Sequence, residues 1–331
     1  MMSGPRRWFR SAQPPARPER KAGVSVPGGS TSSRRARAGR HQSRPQRART
    51  TAPAPMSTRA YARMRTEDSG NAGGRQWRAR ERFWYKSPVA DLDIVMPVYN
   101  EGANIGAVLD ALRREVKTPL RLLVCHDSDS DDTLPALKAL GGGLAIKAVK
   151  NPGRGVHAAV MAGFAAADAP AVLMLPADDD YNAPLIDEMA ALVKGGAAVV
   201  CADRFMPGGR MEGCPLLKYV LVRLSAFALR HAARLPVDDP TNGFRMFSGE
   251  VLRSLPVESK SGFSWSLELL VKCHRLGLRV ERLPAAWIER REGKSRFRIA
   301  AWMLDYLRWF LFAFATTWLG RGPETVARRA A

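Results

Sequence analysis

The chain has 331 residues, 46% of them hydrophobic, which is enough for one large folded unit or two small ones. Its formal charge of +21 would suit a nucleic-acid binder, but residues 1–66 hold 16 Lys and Arg against one acid, Glu19, and so carry +15 of it. The remaining +6 is ordinary for a globular surface, so no nucleic-acid partner is expected for the folded part.

Residues 1–66 are rich in Arg, Pro, Ser, Gly and Ala and have no apolar periodicity, which predicts disorder; the basic segment is bounded at residue 88. It suits a nucleic-acid arm, a patch for anionic lipid or a targeting peptide, and a translation start at Met56 or Met64 would remove most of it. No apolar run of about 7–15 residues follows the first basic cluster, so a secretory signal is not expected. Cys125, Cys201, Cys214 and Cys273 are far apart and lack zinc or redox spacing, so they read as reduced thiols of a cytosolic domain.

From Ala90 onward strands and helices alternate. Asp91 to Glu101 reads as a buried strand ending in a polar turn, followed by a helix over Ala103 to Glu115. A second strand, Leu120 to Cys125, runs into the acidic turn His126 to Thr133, which caps the next helix. A third, Leu144 to Val149, leads to Asn151-Pro152-Gly153-Arg154-Gly155 and a small-residue helix ending near Ala167. The fourth, Ala171 to Leu175, ends in Asp178-Asp179-Asp180-Tyr181-Asn182, and Pro184 starts a helix to Val193. A fifth, Ala197 to Cys201, ends at Asp203-Arg204. This alternation predicts a doubly wound, mostly parallel, Rossmann-like α/β sheet with helices on both faces and these loops on its carboxyl edge.

Further on, the sequence predicts an apolar helix over Leu216 to Leu235 and a loop at Asp238 to Arg245. A helix follows around Leu267 to Leu270, then a strand from Arg279 to Leu283 and a basic turn at Arg290 to Arg296. The last helix is placed over Ile299 to Leu319. Its uninterrupted apolar part begins at Trp309 and is too short to span a bilayer, which takes about 20 residues. It reads as an amphipathic helix in the membrane surface, with Arg290, Lys294, Arg296 and Arg298 meeting anionic head groups, or as a helix packed on the core.

The chemistry concentrates in the fourth loop. Alternate side chains of an extended segment share a face, so Asp178 and Asp180 would point together while Asp179 points away. Two hard oxygen ligands suit Mg2+ or Mn2+ that also holds a diphosphate; a solvated acidic loop is the bland alternative. Gly153-Arg154-Gly155 precedes a helix and is placed to approach that diphosphate. Gly141-Gly142-Gly143 precedes a strand and reads as a helix-ending loop, and His126, His157, His231 and His274 lack ligand spacing.

Taken together, Pro97-Val-Tyr-Asn-Glu101, the turn at Asp127, Asp178-Asp-Asp-Tyr-Asn182, Arg204-Phe-Met-Pro-Gly-Gly209, Asp239-Pro-Thr-Asn-Gly-Phe-Arg245, Leu267-Glu-Leu-Leu270 and Arg290-Arg-Glu-Gly-Lys-Ser295 form an ordered series. Over residues 91–298 the chain resembles the inverting family-two glycosyltransferases of the GT-A fold, above all the dolichol- or polyprenyl-phosphate mannosyltransferases. That resemblance implies a GT-A domain over 89–298, a membrane-associated or amphipathic helix over 299–320 and a tail over 321–331. It implies transfer of a sugar from GDP-mannose or a UDP-hexose to a polyprenyl or dolichyl phosphate. The place would be the cytoplasmic inner face of the membrane, in cell-envelope synthesis. Transfer to a sugar or other hydroxyl is the alternative within the enzyme reading; a non-catalytic protein binding a membrane or RNA surface is the remote one.

Carried over by residue, the resemblance puts Pro97, Tyr99 and Glu101 in the nucleotide pocket and Asp127 against the base. Gly153 is added to the donor side on the reading above. Asp178 and Asp180 match the paired aspartates, and Asn182 a third metal-proximal position. Arg204, Arg223, Arg290, Lys294 and Ser295 would hold the acceptor phosphate, with Asp180 and Arg204 in the catalytic set. Asp239 would be the base for a hydroxyl acceptor, or would cap the Pro240 turn. The chain departs from the family pattern at Ser128-Asp129, where Gly-Ser is usual, at Asp179, where a small residue is usual, and in lacking the paired transmembrane helices of some relatives.

Overall fold

The computed structural model describes residues 90–289 and 299–329. Nine strands and eight α-helices lie among the described residues, in the order β1 (Leu92–Pro97), α1 (Ile105–Glu115), β2 (Leu120–His126), α2 (Thr133–Leu140), β3 (Ala145–Lys150), α3 (Val156–Ala166), β4 (Ala171–Met174), α4 (Ile186–Lys194), β5 (Val199–Asp203), β6 (Arg210–Glu212), α5 (Leu216–Phe227), β7 (Arg245–Ser248), α6 (Gly249–Ser254), α7 (Ser264–Arg275), β8 (Val280–Pro284), β9 (Ala286–Ile288) and α8 (Ile299–Trp318).

Seven strands form one sheet in the order β3-β2-β1-β4-β7-β5-β8, and only β7 runs antiparallel to its neighbours. The expected parallel, doubly wound sheet is therefore present. The loop expected to reach Arg245 gives way there to the antiparallel strand β7, inserted between β4 and β5. β6 and β9 form a separate two-stranded parallel ribbon.

Both faces of the sheet are covered. One core packs Ile94, Met96, Leu122, Val124 and Leu173 against Ile105, Leu109 and Leu112 of α1 and Ile186 and Met189 of α4. The other packs Val95, Leu123, Val172 and Phe247 against Val160 of α3 and Trp265 and Leu269 of α7. Phe164, Phe247 and Trp265 meet edge to face there, with centroids 5.2–6.2 Å apart.

The helix expected over Leu216 to Leu235 is α5 from Leu216 to Phe227, continued by one wider π-type turn over Ala228–Ala232. α8 is docked rather than free. Trp309 and Ala313 are buried, and Arg275 of α7 donates to the Phe312 carbonyl at 2.7 Å and lies 3.6 Å from the Phe312 ring centroid. Its Leu304, Leu307 and Leu311 stay exposed. No described helix is long and apolar enough to cross a membrane.

Candidate active site

The carboxyl ends of β1, β2 and β4 open onto a cavity of about 730 Å3, lined among others by Pro97, Tyr99, Glu101, Asp127, Arg154 and Asp178. Four of the expected nucleotide-pocket residues thus share one wall with the first aspartate. The loop after β1 reaches this position because Asn100 takes a left-handed φ of 54°, where its N–H donates to both oxygens of Asp131 at 3.1 Å. Asp131 also accepts from the Thr133 N–H at 2.9 Å, so it, rather than the N-cap Asp132, satisfies the start of α2. Glu101 accepts from Asn104 Nδ2 at 2.7 Å.

Asp127 is fixed from two sides: Asn151 Nδ2 donates to one oxygen at 2.7 Å and the Gly155 N–H to the other at 2.8 Å. Gly155 sits at φ 85°, a conformation that favours glycine, and it and Arg154 line the cavity. Gly153 itself does not line the cavity and is turned to Asn151, whose Oδ1 accepts its N–H at 2.8 Å; the next two residues, Arg154 and Gly155, line it instead.

The aspartates after β4 differ from the extended segment expected. Pro176 cannot donate to a ladder, β4 ends at Met174, and a turn closes with the Asp179 N–H donating to the Pro176 carbonyl. Asp178 faces the cavity, Asp179 turns inward and is buried, and Asp180 is exposed. Burial pushes the Asp179 carboxyl up to about 7, with Asp178 and Asp180 pushing the same way against the hydrogen bonds from Asn182. Asn182 is corrected from a metal-proximal position to a brace. Its Nδ2 donates to Asp179 at 2.8 Å and to the Ala286 carbonyl at 2.9 Å, and its Oδ1 accepts the Ala286 N–H at 3.0 Å. Asp178 and Asp180 still offer hard oxygens, and no three His, Cys, Asp or Glu side chains converge among the described residues. The expected pairing is not observed, since Asp178 lines both cavities and the exposed Asp180 lines neither; as a donor set, two carboxylates would suit Mg2+ or Mn2+, which keep waters and take phosphate oxygens as further ligands.

A second cavity, of about 530 Å3, adjoins the first and shares Met174, Pro176, Asp178, Lys218, Phe263 and Trp287 with it. Its remaining wall is largely apolar: Leu221, Val222 and Leu229 come from α5 and the turn after it, Tyr306, Leu307 and Phe310 from α8. Arg204 stands at this cavity. Its guanidinium grips Asp239 with both ends, Nη2 to Oδ1 at 3.0 Å, and Nη2 also donates to Thr241 Oγ1 at 3.2 Å. Asp239 is fully buried and lines neither cavity. Burial alone would raise its carboxyl, but the adjacent Arg204 charge holds it below the usual range. The base expected at Asp239 is therefore corrected to an anchor for Arg204, whose own proton burial loosens and Asp239 more than restores.

Asp203 organises the same corner, accepting the N–H groups of Phe205, Met206, Asp238 and Asp239 at 2.7–3.1 Å. Arg223 is exposed and lies 4.5 Å from the Phe205 ring centroid, on the ring that Arg204 also approaches at 5.3 Å; it lines neither cavity. The cation brought to the junction is Lys218, in the first turn of α5, with Nζ 4.3 Å from the Trp287 ring centroid and 3.8 Å from Glu289. The sequence reading missed it; a lysine in the first turn of an apolar helix was the available signal. Arg290, Lys294 and Ser295 lie outside the described residues, and Glu289 just before them lines the first cavity.

The Glycosyl transferase family 2 profile matches residues 93–255. An uncharacterized glycosyltransferase of Mycobacterium tuberculosis is 32% identical over 204 residues, 61% of this chain and 88% of that protein. The chain belongs to glycosyl transferase family 2. A dolichyl-phosphate hexose transferase of Haloferax volcanii is 28% identical over 204 residues, covering 60% of this chain and 84% of that one. The dolichol-phosphate mannosyltransferase of Pyrococcus furiosus is 23% identical over 223 residues, 66% of this chain but only 62% of that relative's length. Glucosyl-3-phosphoglycerate synthase of Mycobacterium tuberculosis, solved with Mn2+, UDP-glucose and phosphoglyceric acid, superposes with a TM-score of 0.51 at 20% identity, over 70% of this chain and 86% of that one. At that identity the likeness shows the fold, GT-A, which the mostly parallel sheet matches. The family model stops before α7 and α8, so the second cavity is built partly from elements beyond the matched segment.

Proposed function

We propose that the protein transfers a hexose from a nucleotide sugar to a polyprenyl phosphate of the dolichyl type, with Mg2+ or Mn2+, at the cytoplasmic face of an anionic membrane. The observation that carries the reading is the meeting of two unlike cavities at Asp178: a more polar one with the nucleotide-pocket residues, and a more apolar one with Arg204 and Lys218 at its polar end. Names of relatives that act on dolichyl phosphates support the acceptor, and the Mn2+ and UDP-glucose bound by the structural neighbour support the donor and metal.

The residues divide the work. Asp127, held by Asn151 and Gly155, accepts a hydrogen bond from the base, and Pro97, Tyr99 and Glu101 enclose the nucleoside. Asp178 and Asp180 would hold the divalent ion, which neutralises charge on the departing diphosphate. Arg204, locked by Asp239, and Lys218 orient an acceptor phosphate toward the anomeric carbon. Such a phosphate is already ionised at neutral pH, so attack needs no strong base, in keeping with Asp239 being committed to Arg204. Bond formation from the face opposite the leaving diphosphate inverts the anomeric centre.

The test is incubation of the protein with radiolabelled GDP-mannose, UDP-glucose and UDP-galactose, Mg2+ or Mn2+, and polyprenyl phosphate. Label from one donor is expected in the organic phase as a lipid-phosphate sugar. Label that stays aqueous with every donor, while a sugar hydroxyl acceptor is glycosylated, would overturn the acceptor assignment.

A further inference from the structure

The segment Glu258–Phe263 joins α6 to α7 outside the matched family segment, and it forms part of the donor cavity through Lys260, Ser261, Gly262 and Phe263. Its backbone is held by two carboxylates in an unusual way. Glu268 of α7, fully buried, accepts the Glu258 N–H at 2.7 Å and the Ser259 N–H at 2.8 Å. Asp305 of α8 accepts the next N–H, from Lys260, at 3.0 Å and the Ser261 hydroxyl at 2.7 Å. Three consecutive amides are thus fixed by carboxylates from two helices.

Charge compensation shows how firmly the first of these is built. Lys272, also buried, donates to Glu268 at 2.7 Å and to the Pro256 carbonyl at 2.7 Å, pinning the start of the segment as well. His157, from the first turn of α3 and itself a lining residue of the cavity, meets the Ser259 hydroxyl at 3.2 Å and ties the segment to α3. A buried ion pair is an expensive way to hold a loop that only connects two helices. What the arrangement presents is Lys260, exposed and at the wall that Arg154, Gly155 and Asp178 also line. It is absent from the wall of the apolar cavity, so of the two cavities it lines the first alone.

We propose that Lys260 is a further donor-binding residue, contacting the diphosphate of the nucleotide sugar, and that Asp305 is the positioning residue that holds it there. The inference rests on the nucleotide-sugar reading. Lysine suits this place because its ammonium is a compact charge on a flexible stem and follows the diphosphate as the sugar leaves. α8, which walls the acceptor cavity through Tyr306, Leu307 and Phe310, would then also fix the donor loop.

Calorimetric titration of the full chain, in Mn2+, with UDP and GDP and separately with uridine and guanosine tests this. Against the diphosphate that the wild type binds, Lys260→Met should weaken affinity about ten- to a hundred-fold, leave the matching nucleoside unchanged, and be rescued by Lys260→Arg. Asp305→Ala should show the same split between diphosphate and nucleoside in smaller degree, with an unchanged melting temperature. If Lys260→Met binds the diphosphate as the wild type does, or loses diphosphate and nucleoside in equal proportion, the segment is only structural and the inference fails. If the wild type itself binds neither diphosphate, the nucleotide-sugar reading fails and takes the inference with it.

Discussion

Asp179 is the residue on which charge and fold conflict most directly. It is buried behind Asp178, and its pKa rises from 3.8 to about 7, so between those values the folded chain holds a proton that the unfolded chain has lost. Stability contributed by this site must therefore fall as pH rises through that window and stay low above it. In chelator, the melting temperature of Asp179→Asn should drop less than that of the wild type between pH 4 and 8; parallel curves would show that the carboxyl ionises normally. The exposed Asp180 should behave differently. Asp180→Ala is expected to abolish metal-dependent turnover with no loss of melting temperature, and undiminished turnover in excess chelator would contradict the metal role. That the loops carrying Tyr99, Glu101, Asp127 and Asp178 gather at one edge was legible because each follows a buried strand, with Pro97 ending the first; which of these residues line the cavity came from the family resemblance. The brace made by Asn182 and the Arg204 partnership of Asp239 were not, since residue type does not reveal that an amide or carboxylate is spent on a backbone or on an arginine; the cap of Asp239 on the Pro240 turn was, and Thr241 donates to it at 2.8 Å.

At the scale of elements, what sequence revealed depended on length and period. The strands β1, β2, β4 and β5 are buried apolar runs bounded by polar turns, and they were visible as such. β7 was hidden: four residues beginning with Arg245 carry no strand pattern, and that arginine is buried only because it donates to the Pro240 carbonyl at 2.6 Å and to the Ser266 carbonyl. β6 and β9, three residues each, are set by tertiary pairing alone. α8 is packed on the core along one side and exposes leucines on the other. Trp309 is 1% exposed against α7 whereas Leu304 is 81% exposed. Trp309→Ala should cost about 3–5 kcal/mol, read as a fall in denaturation midpoint. α5 adds Leu217, Leu221 and Leu224 to the exposed apolar surface, with Lys218 and Arg223 on the same helix. If these helices lie in a membrane surface, Leu217→Glu, Leu224→Glu, Leu304→Glu and Leu311→Glu combined should abolish sedimentation with anionic vesicles. Retained sedimentation would assign membrane binding to other residues or to none.

For the whole molecule, a mostly parallel sheet gathers the residues proposed for the donor on one edge, and α5, α7 and α8 add a largely apolar cavity beside it. Residues 1–66 carry no apolar periodicity, and a chain beginning at Glu67 should keep wild-type turnover on a soluble acceptor analogue. Lys218 is where the two cavities meet, so Lys218→Ala should raise the KM for polyprenyl phosphate about ten- to a hundred-fold while the donor KM stays nearly constant. The most direct measurement of the central claim is a competition between acceptors in one vessel: farnesyl phosphate against 3-phosphoglycerate and a free hexose, with labelled donor and metal. An apolar acceptor cavity predicts that nearly all label enters farnesyl phosphate, and more strongly as the prenyl chain lengthens. Equal or preferential labelling of the soluble acceptors would contradict it.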